Sequence, residues 1–280
     1  MILVADSGST KTKWCLSDSN GTFDSCRTSG INPFLQSEND IYETLDKQFT
    51  LITGDFESIH FYGAGCINPE INNKVMRSLD KFFSAREIFV YSDLMGAARS
   101  LFDDQPGIVV ILGTGSNSCY YDGNCIISNV SPLGYILGDE GSGAVLGRKL
   151  LSGVLKKQLP EDLCKKFFDK YNLSPLRIME NIYQKPFPNR FMARFTCFLR
   201  ENIVHPSIHQ LINISFKEFF TVNIKQYPEA SYLPVNATGS VAWHFRKILE
   251  ESARETGFHI NKVTISPIDD LLKFHLSRLR

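Results

Sequence analysis

Ile108-Val109-Val110-Ile111-Leu112-Gly113-Thr114-Gly115-Ser116-Asn117-Ser118 is an aliphatic run that breaks abruptly into glycine and hydroxyl residues. Five consecutive aliphatics after Gly107 predict a strand buried on both faces. The glycines at 113 and 115 let the following turn bring backbone N–H groups against a bulky anion such as phosphate. The first residues of the chain repeat the design: Ile2-Leu3-Val4-Ala5-Asp6, then Ser7-Gly8-Ser9-Thr10-Lys11-Thr12, then a second strand from Lys13 to Ser17. Two strand-turn-strand units of one chemistry, about a hundred residues apart, predict one ligand held from both sides.

Outward from these turns, the first half reads βββ-α-β-α-β-α. Strands are expected at 2–6 and 13–18, with residues 22–28 closing a meander through a turn at Asp18, Asn20 and Gly21. Ser37 caps a helix that places Ile41, Leu45, Phe49 and Ile52 on one face. A strand at 58–63, a helix at 69–83 with Ile71, Val75, Leu79 and Phe82 inward, and a strand at 87–92 follow, and a further helix opens at Asp93. The second half repeats the order: strands 107–112, 118–122 and 125–130, helix 141–157, strands 232–237 and 259–265, and helices 241–256 and 268–279. Helical material between Pro160 and Gln226, at 160–170, 174–184, 189–204 and 207–226, has no counterpart in the first half. The expected organisation is an N-terminal lobe at 1–105, a C-terminal lobe at 106–265 carrying an insertion at 158–228, and a closing helix at 266–280 packing back on the first lobe. The insertion has two candidate roles, shaping the substrate side or forming a homodimer contact.

A chain of 280 residues with 43% apolar content is long enough for two cores. Lys plus Arg equals Asp plus Glu, 30 each, without a dense basic run, which argues against nucleic acid or a membrane surface and for a small-molecule partner. Met1 leads straight into a strand, with no signal-like or membrane-spanning segment, so a cytoplasmic location is expected. Seven cysteines without a C-x-x-C pair indicate neither a disulfide framework nor a zinc ribbon, and Cys119 and Cys125 are expected as free thiols across a hairpin.

A duplicated βββαβαβα unit with a phosphate hairpin in each half is the pattern of the actin, hexokinase and Hsp70 fold. Asp6-Ser7-Gly8-Ser9-Thr10-Lys11, Ser92-Asp93-Leu94-Met95-Gly96, Gly113-Thr114-Gly115-Ser116-Asn117, Gly138-Asp139-Glu140-Gly141-Ser142 and Ala237-Thr238-Gly239-Ser240-Val241 stand in the order seen in N-acetylglucosamine kinases and the related BadF/BadG-type ATPases. The chain resembles this family over essentially its whole length. The resemblance implies a two-lobed actin-like α/β fold of the ribonuclease H-like type, ATP and Mg²⁺ as cofactors, and phosphorylation of a hexose or amino sugar, N-acetylglucosamine first.

Each motif carries a chemical expectation. Asp6 ends a buried strand just before the first turn, where a carboxylate can hold Mg²⁺ through water; the plain alternative is a hairpin with a capping Asp. Gly8, Ser9, Thr10 and Lys11 offer N–H, hydroxyl and ammonium contacts to phosphates, and Gly113, Thr114 and Gly115 belong to the same nucleotide. Asp93, at the carboxyl edge of a sheet, can take the proton of a sugar hydroxyl as its oxygen attacks the γ-phosphorus; as a plain structural residue it would be a helix N-cap. The resemblance favours the base. It also gives Asn32 and Phe34, in Gly30-Ile31-Asn32-Pro33-Phe34, the roles of hydroxyl binder and ring-packing aromatic, with Phe34 where relatives carry Trp; the alternative for Phe34 is a staple into the core. It sets Asp139 beside sugar and metal, against the alternative that Asp139 and Glu140 serve the dipole of helix 141–157. Gly65 is read either as a wall of the sugar site or, equally, as part of a plain strand-to-helix turn, Asn117 as an amide aimed at sugar hydroxyls, Gly239 as room for adenosine, and Ser240 as either an adenosine contact or an N-cap. Ser266-Pro267-Ile268-Asp269-Asp270 replaces the Gly-Ala pair that relatives carry after the last strand, so purine packing there is expected to differ.

Two other classes share these motifs. An ATPase activator of dehydratases or reductases would hold an iron–sulfur cluster on cysteines, for which Cys164 and Cys197 are the candidates in the insertion; both read as buried structural thiols on helices. A non-catalytic sugar or nucleotide sensor is the third.

Overall fold

The computed structural model describes residues 1–18, 23–34, 36–52 and 54–278. Asn20, Gly21 and Thr22 of the expected meander, and Leu279 of the last expected helix, lie outside the described residues. The chain divides into two compact units, Met1–Pro106 with Tyr121–Ile126 and Ser266–Arg280, and Gly107–Tyr120 with Ile127–Ile265.

The first unit runs β1 (Ile2–Ser7), β2 (Lys11–Ser17), β3 (Phe23–Ser29), α1 (Glu38–Gln48), β4 (Phe56–Gly63), α2 (Pro69–Phe82), β5 (Ala85–Ser92) and α3 (Asp93–Phe102). The second runs β6 (Gly107–Leu112), β7 (Ser116–Tyr121), β8 (Ile126–Ser128), α4 (Gly134–Leu137), α5 (Gly143–Leu155), α6 (Glu161–Tyr171), α7 (Pro175–Tyr183), α8 (Pro188–Ala193), α9 (Thr196–Glu201), α10 (Pro206–Val222), β9 (Val235–Thr238), α11 (Ser240–His244), α12 (Arg246–Glu255) and β10 (Ile260–Thr264). The last helix, α13 (Ile268–Leu276), returns to the first unit. Strand order is β3-β2-β1-β4-β5 in one sheet and β8-β7-β6-β9-β10 in the other, the same wiring twice. The mixed α/β architecture expected from the repeated halves is therefore present.

Alternation along β1 decides what lies on each face of the first sheet. Leu3 and Ala5 join Trp14, Ile59 and Phe61 in the core that takes in Ile41 and Leu45 of α1 and Val75 and Leu79 of α2. Ile2 and Val4 point the other way and pack with Cys15, Tyr62 and the α13 residues Ile268, Leu271 and Leu272. Asp6 continues this second row, in register with Lys13 of β2 and Tyr62 of β4, and the apolar layer ends there. Helix α13 is pinned by Lys13 to Asp269 at 3.1 Å and by the Tyr62 hydroxyl, which lies 2.8 Å from His275 Nε2 and accepts from Arg99 Nη1 at 2.8 Å. Burial first, then the Arg99 charge, holds the His60 imidazole down at about 4. Burial, the His60 ring and Arg99 put His275 at about 3, so the two rings, stacked with centroids 3.6 Å apart, meet as neutral groups.

In the second unit the insertion is part of the core: Phe167, Phe195, Phe198, Phe216, Phe219 and Phe220 pack with Val110 and Leu112 of β6 and Leu146, Leu150 and Leu151 of α5. Several element boundaries differ from expectation. Helix α1 ends at Gln48, so Ile52 falls beyond it and is 77% exposed. The expected helices 189–204 and 241–256 are each two, broken at Arg194–Phe195 and at Phe245. Strand β9 starts only at Val235 because Pro234 has no N–H to give a ladder, although its carbonyl accepts from Ile108 at 2.9 Å. No disulfide occurs among the described residues; Cys119 is buried and Cys125 exposed. Cys197, expected buried, is exposed on α9, and Cys164 is half-buried on α6. Among the described residues no helix is long and apolar enough to cross a membrane.

Candidate active site

The first hairpin is held by side chains at its root. Ser7 faces away from Asp6, and its hydroxyl lies 2.7 Å from Thr12 Oγ1 and donates to the Ile31 carbonyl at 2.9 Å. The turn closes through Gly8 N to the Lys11 carbonyl at 3.1 Å, and the end of β3 is stapled to it by Gly30 N to the Thr10 carbonyl at 3.1 Å. Gly30 is glycine by necessity: a Cβ there would lie 2.4 Å from the Gly8 carbonyl oxygen. This staple carries the segment 30–34 to the hairpin, where Asn32 packs against Gly65; a Cβ on Gly65 would sit 2.2 Å from Asn32 Oδ1. Ala64 N donates to the Ser7 carbonyl at 2.8 Å, fixing the loop after β4 in the same place. Phe34 is 66% exposed, which removes the core-staple alternative. Its N–H donates to Asn32 Oδ1 at 3.0 Å.

Asp93 is the first residue of α3 and is not its cap. Ser92 caps the helix, accepting from Met95 N at 3.1 Å, while Asp93 Oδ1 accepts from Leu94 N at 2.9 Å. A partly exposed carboxylate at the carboxyl edge of the sheet is thus left without a capping duty. Burial pushes the Asp93 carboxyl up to about 6. Burial and the Asp93 charge push Asp6 up to about 7, and burial with the same charge takes the Cys66 thiol to about 12. Asp6, Asp93, Asn32 and Gly65 are therefore gathered at one end of the first sheet. Thr10 and Lys11 are exposed, and Ser9 is partly so.

The second hairpin is oriented by a helix. Gly143 N donates to the Gly113 carbonyl at 2.8 Å and Ala144 N to the Thr114 carbonyl at 3.0 Å, so the opening of α5 grips the carbonyl side of the turn. Because a trans peptide sets its C=O and the next N–H in opposite directions, the N–H groups of Thr114 and Gly115 face away from that helix. Asp139 and Glu140 lie ahead of α5, whose cap is Ser142, so neither stands in the first turn of the helix. Asp139 instead turns to the hairpin: Oδ1 accepts from Ser116 N at 3.1 Å, and both carboxylate oxygens would be 3.2 Å from a Cβ on Gly115. Burial raises its pKa to about 6, with the Glu140 charge adding to the effect against the Ser116 hydrogen bond. Asn117 lies on β7, its side-chain Oδ1 accepting from Asn129 Nδ2 at 2.9 Å. Gly239 has φ 116°, and a Cβ there would fall 2.2 Å from the Leu112 carbonyl, so its glycine is demanded by the neighbouring strand before any ligand. Ser240 is not a cap; Gly239 occupies that position and Ser240 is exposed.

The hairpin glycines differ from these. Neither Gly8 nor Gly113 has positive φ. A Cβ on Gly113 would meet nothing within 4 Å, and one on Gly8 only the Lys11 carbonyl at 3.9 Å. The fold leaves space above the same position of both turns. Ser266, marked in the sequence only as part of the segment that replaces a Gly-Ala pair, proves to donate its hydroxyl to Asp6 Oδ2 at 3.3 Å across 260 positions of chain, a separation no local signal spans. Sequence reasoning also missed the hold of Asp139 on Ser116. For a cation, the described residues contain no group of three or more His, Cys, Asp or Glu able to bind a metal by themselves. Asp6, held up by burial and the Asp93 charge, and Asp93, held up by burial, offer hard oxygen donors of the kind that Mg²⁺, which keeps its waters and takes most ligands from phosphates, can use.

The BadF/BadG/BcrA/BcrD ATPase family model matches residues 5–159. A Porphyromonas gingivalis protein provisionally named N-acetylglucosamine kinase is 41% identical, with 100% of both chains covered and a TM-score of 0.94. A Chromobacterium violaceum protein of the same provisional name is 19% identical over 98% of each chain, TM-score 0.75. A ROK family glucokinase from Streptomyces griseus, solved with glucose and AMPPNP, is 12% identical over 99% of this chain and 100% of its own, TM-score 0.53; these two likenesses are of fold. No curated protein matches the chain.

Proposed function

Since the chain belongs to the BadF/BadG/BcrA/BcrD ATPase family, we propose that it is a cytoplasmic sugar kinase that transfers the γ-phosphoryl group of ATP to a hydroxyl of N-acetylglucosamine. The observation that carries this reading is the pair of hairpin glycines, Gly8 and Gly113, which neither backbone conformation nor packing requires and which keep room for a ligand beside backbone N–H groups. The name of the Porphyromonas gingivalis protein supports the choice of sugar.

In this reading Gly8, Ser9, Thr10 and Lys11, and Gly113, Thr114 and Gly115, bind phosphates, and Gly239 and Ser240 contact adenosine. Asn32, Phe34, Gly65, Asn117 and Asp139 bind the sugar. Asp6 holds Mg²⁺ through water; the ion, when bound, offsets phosphate charge. Asp93 accepts the proton of the attacking hydroxyl. A base held at about 6 is ionised at neutral pH yet close enough to take a proton. Asp93 and Asp6 must both be ionised, so kcat/KM for ATP is expected to fall as pH drops through 7 and then 6; a flat profile from pH 8 to 5.5 would contradict it.

The test of the reading is coupled ADP release with glucose, glucosamine, N-acetylglucosamine and N-acetylmannosamine. Release dependent on N-acetylglucosamine is expected, and ADP release indifferent to sugar would overturn it. Gly113→Ala adds a methyl group into open space. Its melting temperature should match the wild type while ATP affinity falls about 10-fold, measured by calorimetry, because the methyl occupies phosphate volume; unchanged affinity would remove Gly113 from the site.

A further inference from the structure

We propose that Ser266 is a positioning residue for Asp6, its hydroxyl fixing the carboxylate in the orientation that receives the Mg²⁺ of the nucleotide; this rests on the nucleotide-binding part of the reading above. The Ser266 hydroxyl donates to the Asp6 carboxylate, reaching Oδ2 at 3.3 Å. Lys13, in register with Asp6 on β2, has its ammonium on Asp269 at 3.1 Å.

Ser266 has little freedom to be elsewhere. Strand β10 ends two residues before it, at Thr264. Pro267 follows with φ −78°, and its carbonyl accepts from Leu271 N at 2.9 Å. Ile268, Leu271 and Leu272 bury α13 against Ile2 and Val4 of β1, the strand that carries Asp6. The helix seat therefore sets the serine, and the serine sets the carboxylate. A carboxylate that is only half-buried would otherwise turn about its side-chain bonds toward solvent; a donor on one oxygen selects one rotamer and leaves the other oxygen's direction defined. A residue that orients a metal-side ligand in this way commonly changes metal affinity 10- to 100-fold, on the order of a ligand's own support.

The experiment is calorimetric binding of a non-hydrolysable ATP analogue to the full chain, with and without Mg²⁺. In the wild type Mg²⁺ is expected to tighten binding. Ser266→Ala is expected to cut that gain about 10-fold while leaving the Mg²⁺-free affinity unchanged. Ser266→Thr, which keeps the hydroxyl, should restore it, and in an Asp6→Asn background Ser266→Ala should have no further effect. An undiminished Mg²⁺ gain in Ser266→Ala overturns the positioning role alone. Equal loss of affinity with and without Mg²⁺, with a lowered melting temperature, makes Ser266 merely structural and overturns it as well. No nucleotide binding by the wild type overturns the reading beneath it, a result distinguishable from both.

Discussion

Asp93→Asn is expected to lower sugar-dependent ADP release about 10²- to 10⁴-fold with nucleotide affinity almost unchanged. Asparagine keeps the shape and still accepts from Leu94 N, so the start of α3 is preserved and only the proton acceptor is lost. The same variant should be more stable than the wild type. Asp93 has its pKa raised from 3.8 to about 6 by burial, so the folded state holds a proton that the unfolded chain releases. Stability contributed by such a group is greatest below pH 3.8 and declines as pH rises to about 6, and the cost persists at neutral pH. Removing the charge also relieves Asp6, which Asp93 pushes upward. A gain on the order of 1 kcal/mol would raise the melting temperature by about 2–4 °C at pH 8. Turnover and nucleotide affinity falling together, or a melting temperature below the wild type, would contradict the assignment.

Gly30→Ala should damage both fold and binding, unlike Gly113→Ala. Its methyl group would stand 2.4 Å from the Gly8 carbonyl oxygen and 2.9 Å from the carbonyl carbons of Ser9 and Thr10, all backbone, so no side chain can swing aside. The hairpin must separate from the end of β3, breaking Gly30 N to Thr10 O and disturbing the Ser7, Thr12 and Ile31 contacts beneath it. Overpacking of this kind costs about 1–3 kcal/mol, and ATP affinity should fall with it because the displaced residues are the ones assigned to phosphate. Thermal unfolding and calorimetry on the two alanine variants separate a glycine that the fold needs from one that the ligand needs. Equal melting temperatures for the pair would refute the distinction.

Local signals were legible wherever a few neighbouring residues settle the outcome. Ser37 caps α1 and forms a reciprocal box with Asp40, Asn68 with Pro69 opens α2, and the aliphatic runs at 2–5 and 108–112 are strands because nothing but a doubly covered sheet hides them. The repeat of strand, glycine turn and strand points to the fold and to Asp6 from the residues themselves, whereas Asp93 is singled out as a base only by the family resemblance, its position alone reading as a helix N-cap. The repeat was not enough to explain the glycines, since Gly8, Gly30, Gly113 and Gly239 look alike as letters and differ only in what surrounds them.

Sequence by itself determined the duplicated order of elements and the residue types at each sheet edge, because both follow from hydrophobic period and turn chemistry within a dozen positions. Tertiary structure alone decided that Asp139 serves the Gly115–Ser116 turn, that Gly239 is held by the Leu112 carbonyl, and that Ser266 meets Asp6. Those contacts join residues from 23 to 260 positions apart, and a hydrogen bond over such a span is set by how sheets and helices stack, which no short window of residues encodes.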